Sequence, residues 1–547
     1  MPETSDQAPH SCLITFPEIS VMSLPSLLAP QEPQLRRQLP ASLYAQLWIA
    51  STEAVLKTVM QHLNTLQHLL SHYLPYEVVA HPPEPGQPNW QWQTRTLMFT
   101  DLAGFTNLTQ TCAQQGTTGA QLLADLLNSY FSKAIDVINT SGGDLLEFTG
   151  DAMLVEFNDS TSQRSMAKAI RAALRLQRMM GEFATVQTPA GEQALAMRIG
   201  LHNGQFLKAD VGTPMRMMRI LLGKTVRQAK QTEHLGIIGR VCITTESAAL
   251  VADAFRFEAH QPGYLLVCDD FATETLGSFD ITLRQQRNKR SLLALNRTES
   301  EINHEINRLL TKNLPLSSYI ASPILKLLVE NAREHSIPPG FSQAAVLFVN
   351  LLGLPDAADH VTSSTEECQL MTTLSHLFSQ INSLVEAKDG FLQQWTYHLY
   401  SDILIYFGIP GAHMDDAIRA TTVAGEILQL VAQMPPLQIA NTTFQITCQI
   451  GLDWGTVIEG EIGHPFGRRN YNALGQPVNR AAHVMSQAHT NQILMTEAVQ
   501  QEILHEQSLS RTELPFQYQQ VKQINIKGSH HPTTVFGMQP LSAPSKH

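Results

Sequence analysis

The sequence predicts an α+β protein built from two tandem ferredoxin-like domains. Three observations carry that expectation. First, phrases recur in a fixed order at an offset of roughly 250 residues: LSHYLPYEVVAH and LSSYIASPILKLL, LMFTDLAGFTNL and VLFVNLLGLPDA, GGDLLEFTGDAMLVEF and DGFLQQWTYHLYSDILIYF, IGLHNGQFLKADVG and IGLDWGTVIEGEIG, RILLGKTVRQAKQ and YNALGQPVNRAAH. Second, that period is too long for a solenoid and fits a duplicated domain of ordinary size. Third, each copy spells strand, helix, hairpin, helix, strand, which is the ferredoxin-like order.

The elements of the first copy follow from periodicity and turn chemistry. The apolar run Thr96–Phe99 reads as a buried strand. Leu122, Leu123, Leu126, Leu127, Tyr130 and Phe131 recur at helical spacing. The turn at Gly142–Gly143 leads into Leu145–Phe148, and a second turn at Gly150 leads into Met153–Phe157, which makes a hairpin. A helix over Ser165–Met180 sets Met166, Ile170, Ala173, Leu174 and Gln177 on one side, and a strand over Ala196–Leu201 closes the unit. Around this core, residues 1–40 are rich in Pro and Ser and are expected to be weakly ordered. Residues 41–92 form a helical region, and its Leu-rich face over 43–74 suits a packing or dimer helix better than a membrane surface, having few basic residues. The first domain is placed at 93–260, a connector at 261–340 with the polar, basic Arg284–Arg290, and the second domain at 341–540.

Composition bounds the function. With 37 basic against 48 acidic residues the net charge is −11, which argues against nonspecific nucleic-acid binding. No apolar run approaches the ~20 residues of a membrane span. The start MPETSDQAPH is polar and acidic, unlike a secretory signal. The six cysteines lie far apart without a CxxC pair, which fits a reducing cytoplasm.

Asp101 ends a buried strand, and Asp151 follows Gly150 at the next hairpin. Alone, the first would usually cap a helix and the second would serve a turn. Neighbouring strands bring the two together, and close carboxylates call for a hard divalent cation. The backbone amides of Ala103, Gly104, Phe105 and Thr106 precede a helix, where unpaired N–H groups favour phosphate oxygens. Carboxylates, metal and phosphate cradle together suggest nucleoside triphosphate chemistry.

FTDLAGFT with FTGDAMLVEF resembles the metal-binding half of class III nucleotidyl cyclases, and LGQPVNRAAH resembles that family's substrate-binding helix. INIKGSHHPTTVF resembles its closing strand. The tandem layout resembles the bicarbonate-responsive soluble adenylyl cyclases and their bacterial relatives. This resemblance implies two domains packed head to tail as a pseudo-symmetric intramolecular dimer. It implies one site between them that converts ATP, with GTP as the alternative, to the cyclic nucleotide and pyrophosphate. Two Mg²⁺ or Mn²⁺ would be held by Asp101, Leu102 and Asp151; Asn479 would hold the ribose and Lys527 the triphosphate. The opposite arrangement fails, because the second copy has Asn350 and the first has Arg227 in place of Asn479.

The pattern breaks in the complementary half. The family writes V-N-x-A-x-R where this chain has Val478-Asn479-Arg480-Ala481-Ala482-His483. His483 stabilises developing charge less than a fixed guanidinium. Arg480 points about 100° away along a helix, and Arg468 and Arg469 are the loop arginines within conceivable reach. The base-reading lysine is replaced by one of Gln393, Gln394, Thr396 or Tyr397, and its partner is Asn472; amides donate and accept, which admits adenine without demanding it. Glu147 and Lys230 stand where the soluble enzymes place their lysine and bicarbonate-side arginine, so the resemblance does not carry a bicarbonate response with it. His530 and His531 read as loop polarity. The leading expectation is a weak or conditional purine nucleotidyl cyclase; the second is a pseudo-cyclase that binds metal–nucleotide and signals through a regulatory partner. A purely structural module would not require the Asp101–Asp151 pair.

Overall fold

The computed structural model describes residues 28–188, 191–276, 298–510, 516–525 and 532–540. Two mixed sheets of the same topology form the two halves. In the first, the order is Gly143–Thr149, Ala152–Phe157, Asn89–Ala103, Ala196–Thr213, Val241–Thr244, Tyr264–Val267, Phe257–Gln261. In the second it is Phe391–Tyr397, Ser401–Phe407, Gly340–Leu352, Thr447–Gly463, Gln492–Thr496, Thr533–Pro540, Phe516–Ile524. Along each path one neighbouring pair is parallel: Ala196–Thr213 with Val241–Thr244, and Thr447–Gly463 with Gln492–Thr496. The strands Tyr264–Val267 and Phe257–Gln261 complete the first sheet, so this half runs past the expected limit at 260.

The repeated glycine of the opening phrases has a steric reason in both copies. Gly104 has φ +93° at the start of the helix Phe105–Ala113, and a Cβ there would meet the Ala194 carbonyl oxygen at 2.4 Å. Gly353 has φ +88° before the helix Leu354–His360, and a Cβ would meet the Gln445 carbonyl oxygen at 2.5 Å. Left-handed backbone and close approach together admit only glycine.

The duplication reaches beyond the sheets. The helix Glu53–His72 is capped by Thr52 and the helix Glu299–Ser318 by Thr298, and the two pack on each other through Leu56, Val59, Leu63, Ile302, Ile306 and Leu309. The expected connector therefore contains the second copy of the N-terminal helix, and Arg284–Arg290 lies outside the described residues. The expectation of weak order over 1–40 falls mostly outside them too, but its last part is corrected. Glu32–Gln38 is helical, and Leu28, Leu35 and Leu39 are buried in the same cluster, because their apolar side chains cover the two long helices. The Leu-rich 43–74 stretch is two helices, Ala41–Ile49 and Glu53–His72, used for packing inside the chain.

The halves exchange core. Leu207, Val211 and Ile220 of the first pack among Phe378, Trp395 and Leu377 of the second, while Ile458, Ile462 and Leu474 of the second pack in the core of the first. Two buried arginines at corresponding positions lock this exchange. Arg216 donates to the carbonyls of Tyr319 at 2.6 Å and Leu392 at 3.0 Å. Arg468 donates to those of Tyr73 at 2.5 Å, Leu145 at 3.1 Å and Leu146 at 3.1 Å. The tyrosines correspond as well: the Tyr319 hydroxyl donates to Asp210 at 2.8 Å and that of Tyr73 to Glu461. Each arginine thus binds the hairpin of the opposite half and the end of the helix that precedes it.

Candidate active site

The strand Asn89–Ala103 and the hairpin Gly143–Phe157 set the two carboxylates. Asp101 lies one residue past the last pairing with the hairpin strand, directly opposite Arg198, and Arg198 donates to its Oδ2 at 2.6 Å. Asp151 sits at the hairpin turn after Gly150, whose φ is +67°. Both line one cavity of about 320 Å³ between the halves. Burial, then the neighbouring Asp101 charge, holds the Asp151 carboxyl well above the usual carboxylate range. The pair fits a divalent cation: an anionic centre whose repulsion a hard metal relieves, with the Leu102 carbonyl between them in sequence.

The cavity also takes in Phe105 from the helix start, and from the second half Gln394, Thr396, His398, Asp402, Tyr406, Asn472 and Asn479. Of the expected site residues, Asp101, Asp151, Phe105, Gln394, Asn472 and Asn479 therefore meet. Ala103 closes the strand and Gly104 caps the helix beside them. A bulge between Leu392 and Gln394 decides which glutamine faces in. Gln394 lines the cavity, while Gln393 donates to the Tyr471 carbonyl at 2.6 Å and lines a smaller neighbouring space. Tyr397 is buried in the second core and is not among the lining residues.

Several expected residues do not meet there. His483 lies outside the cavity lining, its Nε2 3.2 Å from the Asn525 carbonyl oxygen. Arg468 is committed to the carbonyls above, and Arg469 binds the His335 carbonyl at 2.7 Å and Glu461 at 3.2 Å, so neither loop arginine reaches in. Arg480 is held 2.5 Å from Asp453, as its helical phase requires. Lys527, His530 and His531 lie outside the described residues.

The second copy shows what replaces a metal pair. Asn350 faces Gln449 as Asp101 faces Arg198, and the amides bond to each other at 2.8 Å. Ser401, which opens the strand after the longer hairpin, gives its N–H to Asn350 at 3.1 Å. Charge is absent from each of these positions. At the position matching Asn479, Arg227 forms an ion pair across the halves with Asp359. Counting from Gly223 and Gly475, Lys230 corresponds to Ala482 and Gln231 to His483. Lys230 lines the cavity, bonds to Glu233 at 2.6 Å and lies over the Phe99 ring. Glu147 bonds His398 across the halves at 2.8 Å.

Sequence reasoning missed Arg198, Arg216 and Asp402. Arg198 is legible only from strand pairing across 97 residues. Asp402 hides because YSD in the second hairpin sits one residue out of step with TGD in the first.

The family described as adenylate and guanylate cyclase catalytic domain matches residues 89–268 and 338–539. Adenylate cyclase type 10 of Mus musculus is 24% identical over 437 residues, covering 76% of this chain and 25% of that protein. Adenylate cyclase 1 of Rhizobium meliloti is 28% identical over 168 residues, 30% of this chain and 24% of that one. A class III adenylyl cyclase-like ATP-binding protein from Pseudomonas aeruginosa has a similar structure, with a TM-score of 0.52 at 13% identity over 82% of this chain and 93% of its own. That likeness shows the tandem fold. The chain spans about a quarter of the length of the mouse protein. Among the described residues, no helix is long and apolar enough to cross a membrane.

Proposed function

Because the chain belongs to the adenylate and guanylate cyclase catalytic domain family, we propose that its inter-domain cleft cyclises a purine nucleoside triphosphate, ATP to cyclic AMP with release of pyrophosphate, at a weak or conditional rate. The observation that carries this reading is the meeting of Asp101 and Asp151 from one half with Asn479 from the other in one cavity. The names of the long relatives favour ATP, with GTP as the alternative. Asp101, Asp151 and the Leu102 carbonyl are the groups that would hold two Mg²⁺ or Mn²⁺. Bound there, the metal supplies Lewis-acid activation of the ribose 3′-hydroxyl and neutralises triphosphate charge.

The chain's own residues do the rest. Arg198 fixes the Asp101 carboxylate. The amides of Ala103, Gly104, Phe105 and Thr106 face phosphate oxygens at the helix start. Asn479 positions the ribose, and Gln394 with Asn472 meets the base edge. Lys527 is assigned to the triphosphate, and position 483, whose histidine is turned to the Asn525 carbonyl, to the developing charge. The free cysteines among the described residues accord with a reducing cytoplasm.

A second reading is a pseudo-cyclase that binds metal–nucleotide and signals through a regulatory partner. Its support is that the second half offers no lysine or arginine to the cavity among the described residues, and His483 is turned to Asn525. Turnover of ATP or GTP with Mn²⁺ decides between the two. Cyclic product that vanishes in Asp101→Ala supports the enzyme; nucleotide binding without product supports the pseudo-cyclase.

A further inference from the structure

The cavity wall of the second half holds a carboxyl group that the cyclisation reading leaves without a role. Asp402 pairs across the hairpin with Thr396, and Gln394 pairs with Leu404 two rungs away. Alternation along a strand puts Gln394, Thr396, Leu404 and Asp402 on one face, and all four line the nucleotide cavity. The Asp402 Oδ1 is buried and has no hydrogen-bond partner. Its strand neighbour Asn350 is already engaged by Gln449 and by the Ser401 N–H. No set of three or more acidic, histidine or cysteine side chains among the described residues is disposed to hold a metal, so Asp402 does not extend the Asp101–Asp151 centre. A buried acceptor without a donor costs free energy unless a ligand supplies one.

We propose that Asp402 reads the base and gives this cleft affinity for guanine, which selects GTP, the alternative substrate named above, over ATP. The reasoning rests on the nucleotide reading of the cavity. An ionised carboxylate offers acceptors alone. The guanine edge presents two adjacent donors, N1–H and the 2-amino group, which both oxygens of one carboxylate satisfy; adenine presents a single donor group beside the N1 acceptor. The Gln394 amide then donates to guanine O6. Burial holds the Asp402 carboxyl up to about 7, so a mildly alkaline buffer keeps it ionised.

The test measures binding of GTP, ITP and ATP to the full chain with Mn²⁺ at about pH 8, in wild type and in Asp402→Asn. ITP lacks the 2-amino group. Wild type is expected to bind GTP about tenfold more tightly than ITP. Asp402→Asn is expected to weaken GTP by about ten- to a hundredfold and to change ATP less than about threefold, so ATP binding reports that the variant is folded. Equal GTP and ITP affinity in wild type overturns the proposal, as does a variant that weakens all three nucleotides alike. The wild-type comparison stands even where the variant does not fold. Discrimination of GTP from ITP without cyclic product would leave Asp402 as the base reader and overturn the cyclase reading. Cyclic product with equal affinities would do the reverse. No nucleotide binding would overturn both.

Discussion

His483→Arg separates a cleft that lacks one charge from a cleft built for binding alone. The helix Gln476–Ser486 already turns Val478, Asn479 and Ala482 to the cavity. Position 483 lies about 6 Å along the axis from Asn479 and about 40° round it, from the rise and turn of an α-helix. That is the next turn of nearly the same face, so a longer side chain needs no backbone movement to enter. The histidine is instead bonded to the Asn525 carbonyl, and losing that contact costs ~1 kcal/mol of stability. A preorganised donor at developing charge is worth ~10²–10³ in kcat, or ~2.7–4 kcal/mol. The helix needs no adjustment, so at least the low end, a rise of about 10²-fold in kcat, is expected with little change in KM. The assay is cyclic nucleotide formation from ATP and from GTP with Mn²⁺. A folded variant whose kcat rises less than about threefold refutes the assignment of position 483 to the transition state.

Four further outcomes follow from the same geometry. Asp101→Asn and Asp151→Asn each abolish metal-dependent turnover, and chelation of wild type does the same; product persisting in either variant would place the metal elsewhere. Metal binding releases protons and tightens as pH rises, because folded Asp151 holds its proton more firmly than an ordinary aspartate; calorimetry in buffers of different ionisation heat measures this. Its stabilising effect on the metal-free chain is complete below about pH 4 and is lost as pH rises through its raised value, so Asp151→Asn melts higher than wild type at neutral pH, and equal melting curves across pH would contradict the assignment. Arg468→Met leaves the Tyr73, Leu145 and Leu146 carbonyls without their cross-domain donor and is expected to destabilise by at least ~3 kcal/mol, at about 1–3 kcal/mol for each buried acceptor left unpaired; an unchanged denaturation midpoint would show that those groups find other partners.

The metal half was legible in the sequence because its signals are local. A strand that ends in Asp101, a glycine forced by left-handed backbone, and a Gly-Asp turn lie within about fifty residues, and each has its own steric or hydrogen-bonding reason. The complementary half was less legible because its outcome depends on register. The bulge beside Gln394 chooses one glutamine over its neighbour, and a shift of one residue moves a side chain to the other face. The same sensitivity hides Asp402 behind a hairpin that is longer in the second copy. Arg468 reads as a surface loop cation in sequence; only packing reveals three carbonyls waiting for it. The helices around Leu28 and Leu35 were obscured by Pro and Ser composition, which says little when apolar residues fall against a ready surface.

The neutral Asn350–Gln449–Ser401 set bears on stoichiometry. A pair of identical halves related by a twofold axis owns two equivalent clefts, and occupation of one can help or hinder the other. Here each charged group of the first centre has an uncharged counterpart in the second, and Arg227 spans the corresponding position to Asp359. Metal–nucleotide should therefore saturate at one equivalent per chain with a Hill coefficient of one. Any sigmoidal response in this molecule would have to arise from a different ligand or from association between chains.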